Sequence, residues 1–500
     1  MRVSTNGGLV TENWFDLNAS RYTPSSTLQR MELLKTGYMG TLSLGWDNYL
    51  FLELTGRQER SSTLKDQSFF YPSANLSFLF TQAFHMPSWW NYGKLRLSYG
   101  IVGNAPETYT ANIVYEQGSD NGFTWNTIPS SWGNADIRPE KKYEYEIGLE
   151  SKFLNNRLGI DISYYNNRVK DQILSTPQPS TSGVKNVLMN VGEVANRGWD
   201  ISISATPILT RDFRWDLTAN YGVYKNKVVK LADGVPYLEI LNSGGSGIKI
   251  QAVEGQPMGD IYAQVPQVNE NGEYLVSDKG LYLNQTELQK VGNINPAGVG
   301  GLFNSFSYKN VFLDFSIDFR IGGDVINEMN QYATAVGLTP ESLKYRDTEH
   351  GGLSYYYPGD NNSSGIPVQV DPSTGAGPNG EIIYHDGIIL PGVVASTGER
   401  NTRIIPAGYY YNTTYNWGTE AEQLTYRHSV FDNSYVKLRE LTIGYQFPEK
   451  MISKLGLGRL SVSVFGRNLF YFYKALKTTM RSRPSEHPGP TSYRWEFYHR

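Results

Sequence analysis

The chain contains no cysteine, which excludes a disulfide framework and thiolate metal sites. No apolar run approaches the roughly 18 residues that a membrane helix needs, so a helical membrane protein is excluded too. Charge of one sign is also missing. The 45 basic and 48 acidic residues are interspersed and leave a net charge of -3, with no basic stripe that would point to nucleic acid. The six histidines, His85, His350, His385, His428, His487 and His499, are scattered, and no HExxH, GxSxG or Walker loop occurs. Catalysis, a metal and a cofactor therefore find no support in the motifs. The first residues, MRVSTNGGLVTENW, lack the charged and apolar segments of a secretory signal; for an exported protein the expectation is a partial gene product.

Tyrosine is abundant. Its 36 copies outnumber the 21 phenylalanines and 10 tryptophans together, as expected where rings sit half in hydrocarbon and half in water. The organising stretch is residues 141–170. Tyr143, Tyr145, Ile147, Leu149 and Phe153 alternate with Glu144, Glu146, Gly148, Glu150 and Lys152. After the break at Leu154, Asn155, Asn156 and Arg157, Leu158, Ile160, Ile162 and Tyr164 alternate with Gly159, Asp161, Ser163 and Tyr165. Two period-two runs joined tightly predict a hairpin, and runs of about 9–11 residues are long enough to cross a bilayer when tilted. A soluble sheet with one wet face is the alternative at this point. The mean hydropathy of -0.43 does not weigh against a barrel, since only alternate strand residues face lipid and long loops are polar.

Further alternations appear around Leu42 to Trp46, Leu50 to Leu54, Leu76 to Phe80, Leu95 to Tyr99, Trp199 to Ala205, Phe213 to Val223, Val311 to Ile321, and Leu460 to Val464. Residues 435–447 change parity near Arg439 and Glu440, which predicts a bulge. Residues 1–30 read as loop, and residues 225–296 show no sustained alternation. From Asp47 onward the connections run short, long, short, long. That rule belongs to an up-and-down outer-membrane barrel, tight-turned on one rim and extended on the other. The predicted fold is all-β: a transmembrane antiparallel up-and-down β-barrel of roughly 12–14 strands. Residues 1–40 are read as loop with a partial strand, 41–470 as barrel strands and loops, and 471–500 as an atypical tail.

Several stretches in order resemble the SusC/RagA family of TonB-dependent outer-membrane transporters. They include Ser61-Ser62-Thr63-Leu64 with Phe70-Tyr71-Pro72-Ser73, Gly93 through Gly100 with Val102-Gly103-Asn104, and Arg138-Pro139-Glu140 with Glu146 through Glu150. Asn190 through Trp199, Gly292-Asn293 with Asn295-Pro296, Arg427 through Asp432, and Phe465 through Phe470 continue the series. The resemblance implies a bacterial outer-membrane barrel of roughly twenty-two strands that imports glycans or peptides. It also implies a SusD-like lipoprotein lid as partner and energy from the TonB complex. The family's plug domain and TonB-contact segment have no counterpart in this sequence. A passive porin-like channel and a soluble or surface-attached carbohydrate-binding adhesin are the alternatives.

Two constellations are weighed for ligands. Tyr355, Tyr356 and Tyr357, with Tyr409, Tyr410, Tyr411 and Trp417, lie in the longest external connection, where ring faces can stack on an oligosaccharide or peptide; loop packing is the plainer reading. Asp360, Asn362, Ser364, Gly365 and Asp371 have the oxygen spacing of a calcium loop, but without flanking helices ordinary turn chemistry is preferred. Glu144 and Glu146 share one strand face and read as a wet lumen wall.

Overall fold

The computed structural model describes residues 2–27, 30–65, 68–120, 123–178, 181, 183–232, 234–243, 247–359, 365–416, 425–453, 456–476 and 493–498. A thirteen-stranded antiparallel sheet dominates it, with the strands adjacent in chain order. They are β1 (Lys35–Trp46), β2 (Leu50–Ser61), β3 (Ser68–Phe78), β4 (Trp90–Asn104), β5 (Glu140–Phe153), β6 (Leu158–Lys170) and β7 (Glu193–Leu209). The series continues with β8 (Phe213–Lys230), β9 (Gly298–Tyr308), β10 (Val311–Ile321), β11 (Tyr435–Gln446), β12 (Arg459–Lys474) and β13 (Tyr493–Tyr498).

The tight turns are made where the sequence tolerates a left-handed backbone. Asp47 and Asn48 have φ 46° and 58°, and Leu154, Asn155 and Asn156 have φ 55°, 56° and 63°. Asn and Asp pay least for this conformation because their short polar side chains bond locally. On the opposite rim lie the described residues of the connections 105–139, 171–192, 231–297 and 322–434. One connection departs from the short-long rule: residues 62–67 on the long rim are fewer than residues 79–89 on the short one. The parity change in β11 is a bulge. Ser316 faces Glu440 while Ile317 faces Leu438, which leaves Arg439 as the extra residue.

Register places side chains in rows. Leu97, Ile147, Tyr164, Trp199 and Val223 form one such row on the apolar face of β4 to β8. Phe153, at the foot of β5, shares a row with Leu158, Ala205 and Leu217, yet the foot of β8 is Phe213, four positions lower. Rows that climb this way mean tilted, staggered strands, as barrel closure requires.

Burial on this sheet is inverted relative to a soluble protein. Tyr145, Ile147 and Leu149 are 46%, 47% and 40% exposed, while the charged side chains of Arg96 and Glu150 behind them are only 27% and 25% exposed. No second layer of protein covers the apolar rows among the described residues. Exposed apolar rows with half-buried charges behind them fit a wall between lipid and a polar lumen.

Two expectations are corrected. Residues 1–30 are not simply loop: Arg2–Leu9 pairs with Ser20–Thr27, a polar hairpin whose Ser- and Thr-rich strands carry no apolar alternation to betray them. Residues 231–297 hold a four-stranded sheet of Tyr237–Ser243, Ile248–Val253, Asp260–Ala263 and Gln289–Asn293. Its strands are too short for a sustained period, although Ile248, Ile250, Ala252, Ile261 and Ala263 are all buried.

Candidate functional site

The inward face of the sheet carries two guanidinium hubs. Arg96 on β4 grips Asp161 on β6 with both terminal nitrogens, at 2.6 and 3.2 Å, and also reaches Ser163 at 3.2 Å and Glu150 at 3.4 Å. Lys94 and Lys152 flank the same Glu150 at 3.6 and 3.9 Å. Nearer the long rim, Asn196 donates to Asn167 and Asn167 to Glu144, each at 2.9 Å. The small side chains of Ser163, Ser202 and Asn220, with Gly222 and Gly301, leave an open cleft of about 550 Å3 that Arg96, Asp161 and Asp200 also line. In the second hub the bulged Arg439 forks onto Asp318 at 2.5 and 3.2 Å and reaches Asn468 at 2.8 Å, while Tyr435 donates to the same carboxylate at 3.0 Å. Fixed, paired charges beside small hydroxyls and amides suit a polar ligand passing along the wall.

Above the long rim, the two largest connections interlock. Ile248, Ile250, Ile261 and Ala263 from one form a buried cluster with Tyr426 and Val430 from the other. A second cluster joins Leu281 to Ile388, Leu390 and Ile405. The Gly292-Asn293 and Asn295 motif clamps this unit to the barrel strands. Asn295 donates to Met258 O at 2.6 Å and Asn293 Oδ1 at 2.8 Å, and accepts from Tyr224 on β8 at 3.1 Å. Asn293 in turn donates to the fully buried Asp260 at 2.6 Å, whose other oxygen meets Lys290 at 2.7 Å.

The tyrosines weighed as ring platforms separate here. Tyr355 and Tyr357 are buried in a cluster with Ile404 and pack against Tyr384. Tyr411 is buried with Ala335, Ala407 and Tyr415 and donates to Glu341 O at 2.6 Å. These three are loop core, because a connection of this length needs apolar clusters of its own. Tyr356 and Tyr410 are half-buried, and Tyr409 is exposed. Trp417 and residues 360–364, with most of the calcium-like spacing, lie outside the described residues.

Many groups in this unit are shifted from their ordinary pKa, Glu381, Tyr410 and His428 among them. The backbone N–H of Asn379, followed by those of Glu381 and Gly359 and by the Asn379 side chain, holds the Glu381 carboxyl down at about 2. Burial pushes Tyr410 up to about 12. Burial, then the neighbouring Arg427 charge, pushes His428 down to about 4; its ring stacks on Tyr415 with centroids 4.4 Å apart. Ser354 Oγ lies 2.8 Å from His385 Nδ1 but is only 2% exposed, which keeps the hydroxyl from any substrate. No group of acidic, histidine or cysteine side chains fit to hold a metal occurs among the described residues.

The family model described as TonB dependent receptor-like, beta-barrel matches residues 5–261, just over half of the chain. The chain belongs to the TonB-dependent receptor β-barrel family. Among its relatives is TonB-dependent receptor P3 of Formosa agariphila, 25% identical over 90% of this chain and 42% of that protein. TonB-dependent receptor SusC of Bacteroides thetaiotaomicron is 30% identical over 45% of this chain and 24% of that protein. The solved structure of the RagAB peptide transporter superposes with a TM-score of 0.66 at 18% identity, covering 94% of this chain and 47% of that one. At that identity the likeness shows the fold. The chain thus spans less than half the length of the TonB-dependent receptors it matches. Members of this family are outer-membrane transporters rather than enzymes, and the chain is an outer-membrane β-barrel protein.

Proposed function

We propose that this chain forms the lumen wall and ligand-facing rim of an outer-membrane importer for an oligosaccharide or peptide. Import would be energised by the TonB complex through a plug segment, with a SusD-like lipoprotein as lid. The observation that carries the reading is the inverted burial of the main sheet, with apolar rows exposed and the Arg96 and Arg439 hubs turned inward. Tyr409, with the half-buried Tyr356 and Tyr410, is the remaining ring surface for a ligand at the rim, and Trp417 belongs to the same proposal.

The test is uptake of labelled oligosaccharides and labelled peptides by the native organism with the gene intact and deleted. Deletion is expected to abolish uptake of one of the two classes, and uptake is expected to collapse when the proton gradient is discharged. Uptake that survives deletion overturns the proposal; uptake that ignores the gradient assigns a passive porin instead. A monodisperse chain purified without detergent assigns the adhesin.

A further inference from the structure

The apolar rows of β5 to β8 end abruptly toward the long rim, and beyond them the same outward face turns basic. Above the row of Ile147, Tyr164, Trp199 and Val223 comes the row of Tyr145, Asn166, Arg197 and Lys225. The next row is Tyr143, Arg168, Ala195 and Lys227, and the third is Lys141, Lys170, Glu193 and Lys230. These three rows hold seven cations and one carboxylate, Glu193, which accepts from Arg168 at 2.9 Å and lies 3.9 Å from Lys170.

Two features make this more than a solvated edge. Arg197 and Lys225 are directly paired across β7 and β8, where like charges repel and destabilise a sheet. The side chains of Arg197, Lys225 and Lys227 are exposed and make no ion pair or hydrogen bond among the described residues. An anion between them removes that repulsion. Beside them Tyr99, Tyr143, Glu144, Tyr145, Asn166, Arg168 and Lys170 line a notch of about 180 Å3, and the Glu144 carboxylate accepts from Asn167 and pairs with Lys142. The tyrosine rings mark the level at which hydrocarbon gives way to headgroups.

We propose that this outward patch docks a phosphate-bearing lipid headgroup of the outer leaflet, with Arg168, Arg197, Lys225 and Lys227 supplying the charge and Tyr143 and Tyr145 flanking the headgroup. The long rim is the external one in an up-and-down outer-membrane barrel, so the patch meets the outer leaflet. Guanidinium groups match phosphate oxygens two at a time, and a shared phosphate satisfies cations on neighbouring strands together. The bound lipid acts as a clamp across β6, β7 and β8 from outside the wall. This inference concerns the lipid-facing surface and is independent of the cargo.

The test is native mass spectrometry of the full chain in detergent micelles with a diphosphorylated glycolipid, the same lipid after enzymatic dephosphorylation, and inorganic phosphate. Retention of the phosphorylated lipid alone is expected. Each cation near a membrane surface contributes about 1 kcal/mol, or about fivefold, so the triple variant Arg197→Gln/Lys225→Gln/Lys227→Gln is expected to bind about a hundredfold more weakly. Arg211→Gln/Lys309→Gln, at the short rim, is expected to leave binding unchanged. Should the triple variant fail to fold, Lys227→Gln alone is expected to weaken binding about fivefold. Equal binding of the dephosphorylated lipid, undiminished binding by the variants, or displacement of the lipid by an equal concentration of inorganic phosphate overturns the proposal.

Discussion

Placing a charge at Ile203 tests the inside-out reading of the sheet directly. Ile203 is 40% exposed and sits in a row between Ile160 and Ala219. On a soluble protein an arginine here would be nearly neutral, within about 0.5 kcal/mol, because the site already meets solvent. On a lipid-facing wall it costs about 2–4 kcal/mol near the midplane, which shifts the folding equilibrium by roughly 30- to 1000-fold. Snorkelling gives little relief, since Trp199, at the upper edge of the apolar rows, is four residues or about 13 Å away along the strand. Asp161 and Asp200 point to the opposite face and cannot pair with the new charge. The neighbouring Ser202→Arg is the control. It projects into the open inward cleft beside those same carboxylates, and its expected effect stays within about 0.5 kcal/mol. Urea unfolding in lipid vesicles, followed by heat-modifiable mobility on gels, measures both. Equal effects at the two positions, or a neutral Ile203→Arg, would refute the assignment of faces.

Three further outcomes are expected. Asp161→Asn leaves Arg96 with Glu150 and Ser163, so the half-exposed hub is expected to lose about 1 kcal/mol in the same unfolding assay, without loss of the barrel. His428 has a folded-state pKa below its ordinary 6.5, so the unfolded chain takes up its proton first as pH falls. Stability of the rim unit is therefore flat above about 6.5 and is lost on acidification toward about 4, by at most about 3 kcal/mol; hydrogen exchange of the Tyr415 region checks this, and His428→Phe is expected to remove the slope. Asn295→Ala removes three side-chain hydrogen bonds, about 1 kcal/mol each; exchange of residues 237–293 is expected to quicken while heat-modifiable mobility is unchanged.

The sheet was legible because a barrel strand announces itself through a period of two, and because its turns use residues that accept positive φ. Residues 141–170 pair in the register that the alternation implies, from Lys141 opposite Lys170 to Phe153 opposite Leu158. The bulge at Arg439 was visible as a break in parity, but not that the extra residue would aim a guanidinium at Asp318 across the neighbouring strand. Partnership across strands depends on register, and register appears only when two runs are laid side by side. The same limit hid the basic belt: Arg168, Arg197, Lys225 and Lys227 belong to three separate strands, and in one dimension each is an ordinary cation between polar neighbours.

The loops were illegible for a different reason. A connection as long as residues 322–434 must bury something to be ordered, and in a chain this rich in tyrosine the buried residue is often tyrosine. Runs such as Tyr355 to Tyr357 and Tyr409 to Tyr411 therefore look the same whether they face a ligand or a neighbouring loop. The deciding contacts come from far along the chain: Ile404 covers Tyr355 and Tyr357, and Ala335 covers Tyr411. The phenolic oxygens of two buried rings are then satisfied inside the unit, Tyr411 on Glu341 O and Tyr355 on Asp386 at 3.1 Å. A ring whose hydroxyl is spent in this way has neither a free face nor a free donor for a passing ligand. Under the proposed function, ring contacts to a ligand at the rim are therefore left, among the described tyrosines of these two runs, to Tyr409 and the half-buried Tyr356 and Tyr410.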